Sequence, residues 1–310
     1  MPYPKLAGSP NYSSTGAGNN SKFIPQIWST RLNDKFYANT FYEEIANTSY
    51  AGEISGKGDE VVIRTIPDIE VFDHEDDQDL QVQLPESDNV TLTIDQGHYT
   101  NCRLPDVAKY QSDLNLVDIW AEDAAKRMKI RVDKNILGSI YAAAAAVNAG
   151  ATAGADSGGI NLGTVATPLV LTKANIVDIL VENYSVCLDE TDTPDEERYV
   201  ILPPSMCARI KTSELKDASL TGDGNSTLRT GKVGMIDRLH IYSSRHLRNT
   251  AGVYDIIFGH KSALTYASQI TEMETIRAER KFASYMRSLN VYGFDVICPE
   301  QLGHSVATLG

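Results

Sequence analysis

The apolar residues of this chain change period once, and that change divides the molecule. Val61 and Ile63, Ile69 and Val71, Leu80, Val82 and Leu84, and Val90, Leu92 and Ile94 recur at period two. That is the pattern of strands with one apolar face. Pro67 and Pro85 interrupt the middle; a proline donates no ladder hydrogen bond and belongs at a bend or a sheet edge. The reading is a long, protruding two-stranded hairpin. A lone hairpin is marginal in water, so it should rest on something else. From Leu114 the steps become three and four: Leu114, Val117, Ala121, Ala124, Met128, Val132, Ile136 and Ile140, the period of a helix. Ser112 or Asp113 can cap its start. The expected helix reaches about Val147, and its roughly 35 residues would span about 50 Å. No clean a/d heptad is kept, so a backbone helix lying under other elements fits better than a coiled coil.

The rest of the chain follows in outline. Residues 1–22, rich in Gly, Pro, Ser and Asn, read as a flexible arm. Ile24, Ile27, Leu32, Phe36 and Phe41 follow a loose helical spacing, with Pro25 near the first turn, so a helix is expected from there to about Tyr42. Residues 148–163 read as a linker or surface loop. A second helix begins at Thr172 with Ile176, Leu180 and Tyr184. Tyr199–Leu202 reads as a buried strand, closed by Pro203 and Pro204, with a helix from Ser205 to about Lys211. Residues 216–232 form a polar loop. Strands follow at 237–243 and 254–258, and this mixture suggests an α/β subdomain. Residues 273–292 read as one long extended section ending at Val296-Ile297-Cys298-Pro299-Glu300. No repeat of fixed period is present.

Charge narrows the function. Lys plus Arg is 28 against 41 Asp plus Glu, a formal charge of −13. That argues against a chain built to grip nucleic acid, which neutralises phosphates with a basic face. Cys102, Cys187, Cys207 and Cys298 are scattered with no CxxC pair, the pattern of buried apolar cysteines in a reducing compartment. No secretory signal or membrane-length apolar run is visible.

Catalytic and cofactor constellations are not visible: no GxxxxGK[ST] loop, no GxGxxG turn and no HExxH pair. No catalytic, cofactor or metal residue is assigned. The histidines are expected to be exposed or singly hydrogen-bonded. Gly303-His304-Ser305-Val306-Ala307 has the outline of a nucleophile elbow, but only three residues follow it, where a hydrolase needs an acid and a histidine. Glu75, Asp77, Asp79 and Glu86 match four calcium-loop positions, yet Leu80 replaces the required glycine. The charge run itself is more informative. Asp68, Glu70, Asp73, Glu75, Asp76, Asp77 and Asp79 are seven acids with no Lys or Arg among them. The basic counterweights are Lys126, Arg127, Lys129, Arg131 and Lys134 on the long helix, and Arg277, Arg280, Lys281 and Arg287 near the end. Opposite charges across an interface set register and partner choice. A protruding acidic hairpin cannot easily reach those sites within one chain, but it can across a symmetric assembly. The competing reading is a solvated acidic tip.

The order of arm, short helix, long hairpin, spine helix, α/β subdomain and extended return resembles the major capsid proteins of tailed double-stranded DNA bacteriophages with the HK97 fold. Phe23-Ile24-Pro25-Gln26-Ile27-Trp28-Ser29, Ile45-Ala46-Asn47-Thr48, Gly52-Glu53-Ile54 and Gly58-Asp59-Glu60-Val61-Val62-Ile63 are similar to segments that open such coat proteins. Arg287-Ser288-Leu289-Asn290-Val291-Tyr292-Gly293 with Cys298-Pro299-Glu300 is similar to the closing strand. The likeness covers about residues 23–300, and it lies in the order of the segments rather than in any one motif.

The resemblance implies an α+β chain with an N-arm at 1–22, an N-terminal helical region at 23–49 and an extended loop at 50–104. It implies a peripheral domain at 105–164 and 271–310, carrying the spine helix, and an axial domain at 165–270. It implies pentamers and hexamers of an icosahedral shell in the virion, made in the host cytoplasm and filled with double-stranded DNA through a portal protein. A decoration protein on the shell fits the same scheme. No enzyme activity, cofactor or membrane is implied. Two departures matter. The founding member of the fold forms isopeptide crosslinks from an extended-loop lysine, whereas residues 58–107 here contain none and only Lys57 sits at the base. No such crosslink is expected, and a ladder on a denaturing gel of mature particles would overturn that. The arm is also shorter than a fused scaffolding segment, so a separate scaffolding protein is expected. Two other readings remain: an encapsulin-type nanocompartment, which resembles the same fold, and a soluble α/β enzyme.

Overall fold

The computed structural model describes residues 37–49, 60–64, 67, 69–73, 79, 82–85, 89–106, 116–213 and 234–310. The first elements are α1 (Tyr42–Ile45), β1 (Glu60–Arg64), β2 (Asn89–Thr93), β3 (Gln96–Pro105) and the spine helix α2 (Leu116–Leu137). Then come β4 (Leu169–Leu171), a helix α3 over 176–189, β5 (Arg198–Leu202), α4 (Pro204–Lys211), β6 (Met235–Ile236), β7 (Leu239–Ser243) and β8 (Asn249–Thr250). Four strands complete the chain with a 3₁₀ turn between the last two: β9 (Val253–His260), β10 (Leu264–Arg277), β11 (Ala283–Val296) and β12 (Leu302–Leu309).

The spine helix carries Ala124, Val132 and Ile136 of the expected row buried, and Ile140, just past its end, is buried too. It ends earlier than expected: its described part, Leu116–Leu137, stops well short of Val147. Gly138 ends it: its N–H closes the last bond onto Lys134 O at 3.1 Å, and the chain goes on as 3₁₀ turns at Ile140–Ala143 and Ala146–Asn148. A glycine just past a helix is a stop signal that the apolar spacing masked. The proposed caps Ser112 and Asp113 lie outside the described residues.

The expected helix ending at Tyr42 is corrected over its described part. Residues 37–41 are not helical, and α1 begins at Tyr42. Residues 23–36 lie outside the described residues. The N–H groups of Phe41 and Tyr42 both donate to Asp133 Oδ1, at 2.9 and 3.1 Å. The carboxylate that organises this helix start comes from α2, so no local sequence signal marks it.

Among the described residues, only the two ends of the hairpin form a ladder. β1 pairs antiparallel with β2, from Glu60↔Thr93 to Arg64↔Asn89. Residues 69–73 and 82–85 are described but form no strand, against expectation. One exchange links them: Glu70 N–H donates to Gln83 Oε1 at 3.1 Å, and Gln83 Nε2 donates to Glu70 O at 2.7 Å. Pro67 and Pro85 stand beside these segments and withhold ladder donors. The hairpin root does rest on another element. Ile63, Leu92 and Ile94 cluster with Ala267, and Val61 and Val291 pack on them.

The expected single extended section is itself a hairpin. β10 and β11 pair from Leu264↔Val296 to Arg277↔Ser284, and β3 adds to β11 from Ala283↔Pro105 to Tyr292↔Gln96. The turn is closed by Ala278 N–H on Ala283 O at 2.9 Å. β3 carries no strand signal of its own, because its residues lack an apolar alternation.

A larger sheet has the order β4-β12-β9-β5-β7-β6, with β8 on β9. β5 is buried along its whole length, as its apolar run implies. β12 lies antiparallel to β9 and parallel to β4. Residues 302–309 therefore share a sheet with β5, β7 and β9, not with the part of the chain assigned them by the expected division. α3 contains a π-helical middle, Ile179–Ser185, and places Ile176, Leu180 and Tyr184 on the sheet; Tyr184 stacks on Phe258 with ring centroids 4.4 Å apart. One core joins the two sheets: Ile136, Leu137 and Ile140 of the spine region meet Tyr42, Leu264 and Tyr292 on one side and Ile201 and Ile257 on the other.

Candidate functional site

The acidic hairpin projects into solvent where it is described. Glu70, Asp73 and Asp79 are exposed; Asp68, Glu75, Asp76 and Asp77 lie outside the described residues, as do Glu75, Asp77 and Glu86 of the calcium-loop pattern. Apolar side chains are bare beside the acids: Val71 is 95% exposed, Val82 93% and Leu84 87%. Alternation put these residues on a strand face, but the described part of this chain offers that face no partner.

The nine basic residues fall into two groups. Five have acidic partners within the chain. On α2, Lys126 meets Glu122 at 2.5 Å and Arg127 meets Asp123 at 3.0 Å, both one helical turn apart. Lys129 donates to Glu43 at 2.9 Å, and that hydrogen bond holds the Glu43 carboxyl below its ordinary range. On the long hairpin, Arg277 grips both oxygens of Asp106 at 3.0 and 2.6 Å, and Arg287 lies 3.8 Å from Glu274 across the strand pair. Arg131, Lys134, Arg280 and Lys281 are exposed, and no ion pair forms on them among the described residues. Phe282, beside Lys281 at the tip, is 85% exposed.

The spine helix is tied to its surroundings by polar contacts that the sequence did not single out. Tyr37 donates to Asp123 Oδ1 at 2.6 Å, and Lys126 Nζ lies 5.0 Å from its ring centre. Asn135 donates to Tyr292 Oη at 2.9 Å and to Gln96 Oε1 at 3.3 Å; Tyr292 Oη also meets His98 Nε2 at 3.0 Å. This network binds the helix to β3, directly after the hairpin root. In the larger sheet, fully buried Arg198 contacts Asp189 at 2.6 Å and Asp195 at 3.1 Å, and half-buried Arg238 bridges the same two carboxylates. An arginine opening an otherwise apolar buried strand was the signal available for that cluster.

The remaining chemistry is structural. Ser305 of the elbow-like segment is buried, accepts from Tyr184 Oη at 2.9 Å and donates to Leu162 O at 2.8 Å. His304 meets Asp255 at 2.9 Å on the opposite side of the strand. All four cysteines are free thiols, with Cys187 and Cys207 buried. Among the described residues, no group of three His, Cys, Asp or Glu is placed to hold a metal ion, and no helix is long and apolar enough to cross a membrane.

Comparison with known proteins gives this architecture a relationship. A chain from the structure of Mycobacterium phage Che8 superposes with a TM-score of 0.74 at 24% identity, covering 91% of this chain and 96% of that one. The capsid protein of cyanophage P-SCSP1u gives 0.70 at 15% identity, covering 96% and 95%. That of the mature capsid of bacteriophage PhiM1 gives 0.68 at 13% identity, covering 100% and 98%. At such identities the likeness carries the fold, which is HK97-like. No curated protein sequence matches the chain. A family model described as phage capsid protein matches residues 106–299, which runs from just after β3 through α2 and β4 to β11, stopping before β12. That is more than half the chain, so the chain belongs to the phage capsid protein family.

Proposed function

We propose that this chain is the major capsid protein of a tailed double-stranded DNA phage and that its copies associate as pentamers and hexamers of an icosahedral shell. The family match over residues 106–299 carries the reading. The role is structural: the chain builds a container.

The partners follow from shape and charge. The first is another copy of the chain. The acidic hairpin docks across a subunit boundary onto the basic residues that form no ion pair among the described residues, Arg131 and Lys134 on the spine helix or Arg280 and Lys281 at the β10–β11 tip. Support comes from the split among the nine bases, because a residue already paired gains little from a second acid. A net charge of −13 favours a lumen that lets the duplex slide, since phosphate neutralisation is what holds DNA to protein. A separate scaffolding protein and a portal protein complete the proposed assembly, which forms in the host cytoplasm.

Electron microscopy of the chain co-expressed with its genomic neighbours tests the reading. Closed shells of uniform size are expected; a stable monomer under every condition would overturn it. The docking is tested by Arg131→Glu with Lys134→Glu, and by Arg280→Glu with Lys281→Glu. One pair should block shell formation while leaving the monomer folded. Normal shells from both would remove the acidic docking and leave the capsid reading intact.

A further inference from the structure

We propose that residues 23–28, Phe23-Ile24-Pro25-Gln26-Ile27-Trp28, seat in a groove between α2 and the three-stranded sheet, with Trp28 as the anchor. The groove has a volume of about 330 Å³ and is lined by Tyr42, Ala125, Met128, Met273 and Leu289 on its apolar side, with Glu43 and Lys129 among its polar groups. That volume lies at the small end of the range for binding pockets, about 300–1,000 Å³. Met273 is 51% exposed and Leu289 40%, so apolar surface is left bare on the sheet side.

Position selects the occupant. The described chain begins at Tyr37, which is already fastened to α2 through Asp123 and Lys126. Ala125 and Met128 lie within one turn of those two residues. The nine steps from Tyr37 back to Trp28 can extend about 30 Å, several times the 5.4 Å pitch of that turn. A tethered segment also meets the groove at a high effective concentration, on the order of millimolar for a short flexible link.

Charge points the same way. Glu43 and Lys129 satisfy each other at 2.9 Å, so the groove offers no open cation through these two to an incoming acid. Residues 23–28 carry no charge and supply Phe23, Ile24, Ile27 and Trp28. The rival occupant, the hairpin of a second copy, brings its bare Val71, Val82 and Leu84 together with seven acids between Asp68 and Asp79. Burying a carboxylate without a partner is costly, so the neutral segment fits and the hairpin does not.

The chain has two tryptophans, Trp28 and Trp120. In full-length Trp120→Phe protein, Trp28 should emit at short wavelength and resist acrylamide, and Met128→Glu should shift it to the red and expose it to the quencher. Disulfide trapping provides an independent readout, with Cys102 and Cys298 changed to serine because both are partly exposed. Trp28→Cys with Met128→Cys should crosslink under mild oxidation, and Leu84→Cys with Met128→Cys should not. A freely quenched Trp28 in folded protein would overturn the proposal. So would a crosslink from the Leu84 pair without one from the Trp28 pair, which would give the groove to the hairpin.

Discussion

Asp133 and His246 meet 2.7 Å apart, Oδ2 to Nδ1, although 113 residues separate them in sequence. Asp133 is fully buried on the spine helix, and its other oxygen holds the N–H groups of Phe41 and Tyr42. One carboxylate thus joins α2, the start of α1 and the loop after β7. Asp133→Ala would leave two main-chain donors without an acceptor, each worth about 1–3 kcal/mol when buried. A loss of about 3 kcal/mol in urea unfolding is expected. Asp133→Asn keeps an acceptor and should lose less. Equal losses from the two variants would show that the acceptor is not what matters.

Arg198 and Arg238 share Asp189 and Asp195 but differ in burial. Arg198 also donates to Pro194 O at 2.8 Å and to Thr193 O. Arg198→Met should cost about 1–3 kcal/mol through those stranded carbonyls, less than a fully buried pair would, because Asp189 and Asp195 are partly exposed and keep Arg238. Arg238→Ala, at the surface, should cost less than about 1 kcal/mol. The reverse order in paired denaturation curves would refute this division of labour.

Gly293 lies where β11 passes the hairpin root. A Cβ there would stand 2.2 Å from Thr93 O and 3.0 Å from Ile94 Cα. Gly293→Ala must push the root off its sheet, at about 1–3 kcal/mol for an overpacked site. Faster amide exchange in β1 and β2, with the rest of the chain protected, is the expected signature. Unchanged exchange there would mean that the backbone absorbs the methyl group freely.

Stability should fall in alkali. Burial, helped by the Glu190 charge, pushes the Cys187 thiol up to about 12 from its ordinary 9.0. Burial likewise raises the Tyr184 and Tyr199 phenols above their ordinary 10.0. In that window the folded chain keeps protons that the unfolded chain releases, so this contribution is whole below about pH 9 and is lost as the pH climbs toward 12. Urea midpoints should drop between pH 8 and pH 10.5, with Cys187 unreactive to alkylation at the lower pH. Constant midpoints across that range would contradict the burial.

Elements whose burial follows a period could be read before the fold was known. The row from Ala124 to Ile140, the apolar run Tyr199–Leu202 and the ends of the long hairpin were legible because one face of each must leave water whatever it packs against. The stop at Gly138 was also written locally, in a residue that the apolar spacing overrode. Tertiary structure decided the rest. β3 shows no alternation of its own and becomes a strand only because β11 supplies a ladder. Residues 302–309 were assigned by position in the chain, yet β9 and β4 draw them into the larger sheet. Asp133 looks like any polar helix residue until Phe41, Tyr42 and His246 arrive around it. The nine basic residues were legible as a charge pattern, but only folding showed that Lys129 is taken by Glu43 and Arg277 by Asp106. A local pattern can report how much surface a segment must bury; it carries no information about which distant donor or acceptor completes it.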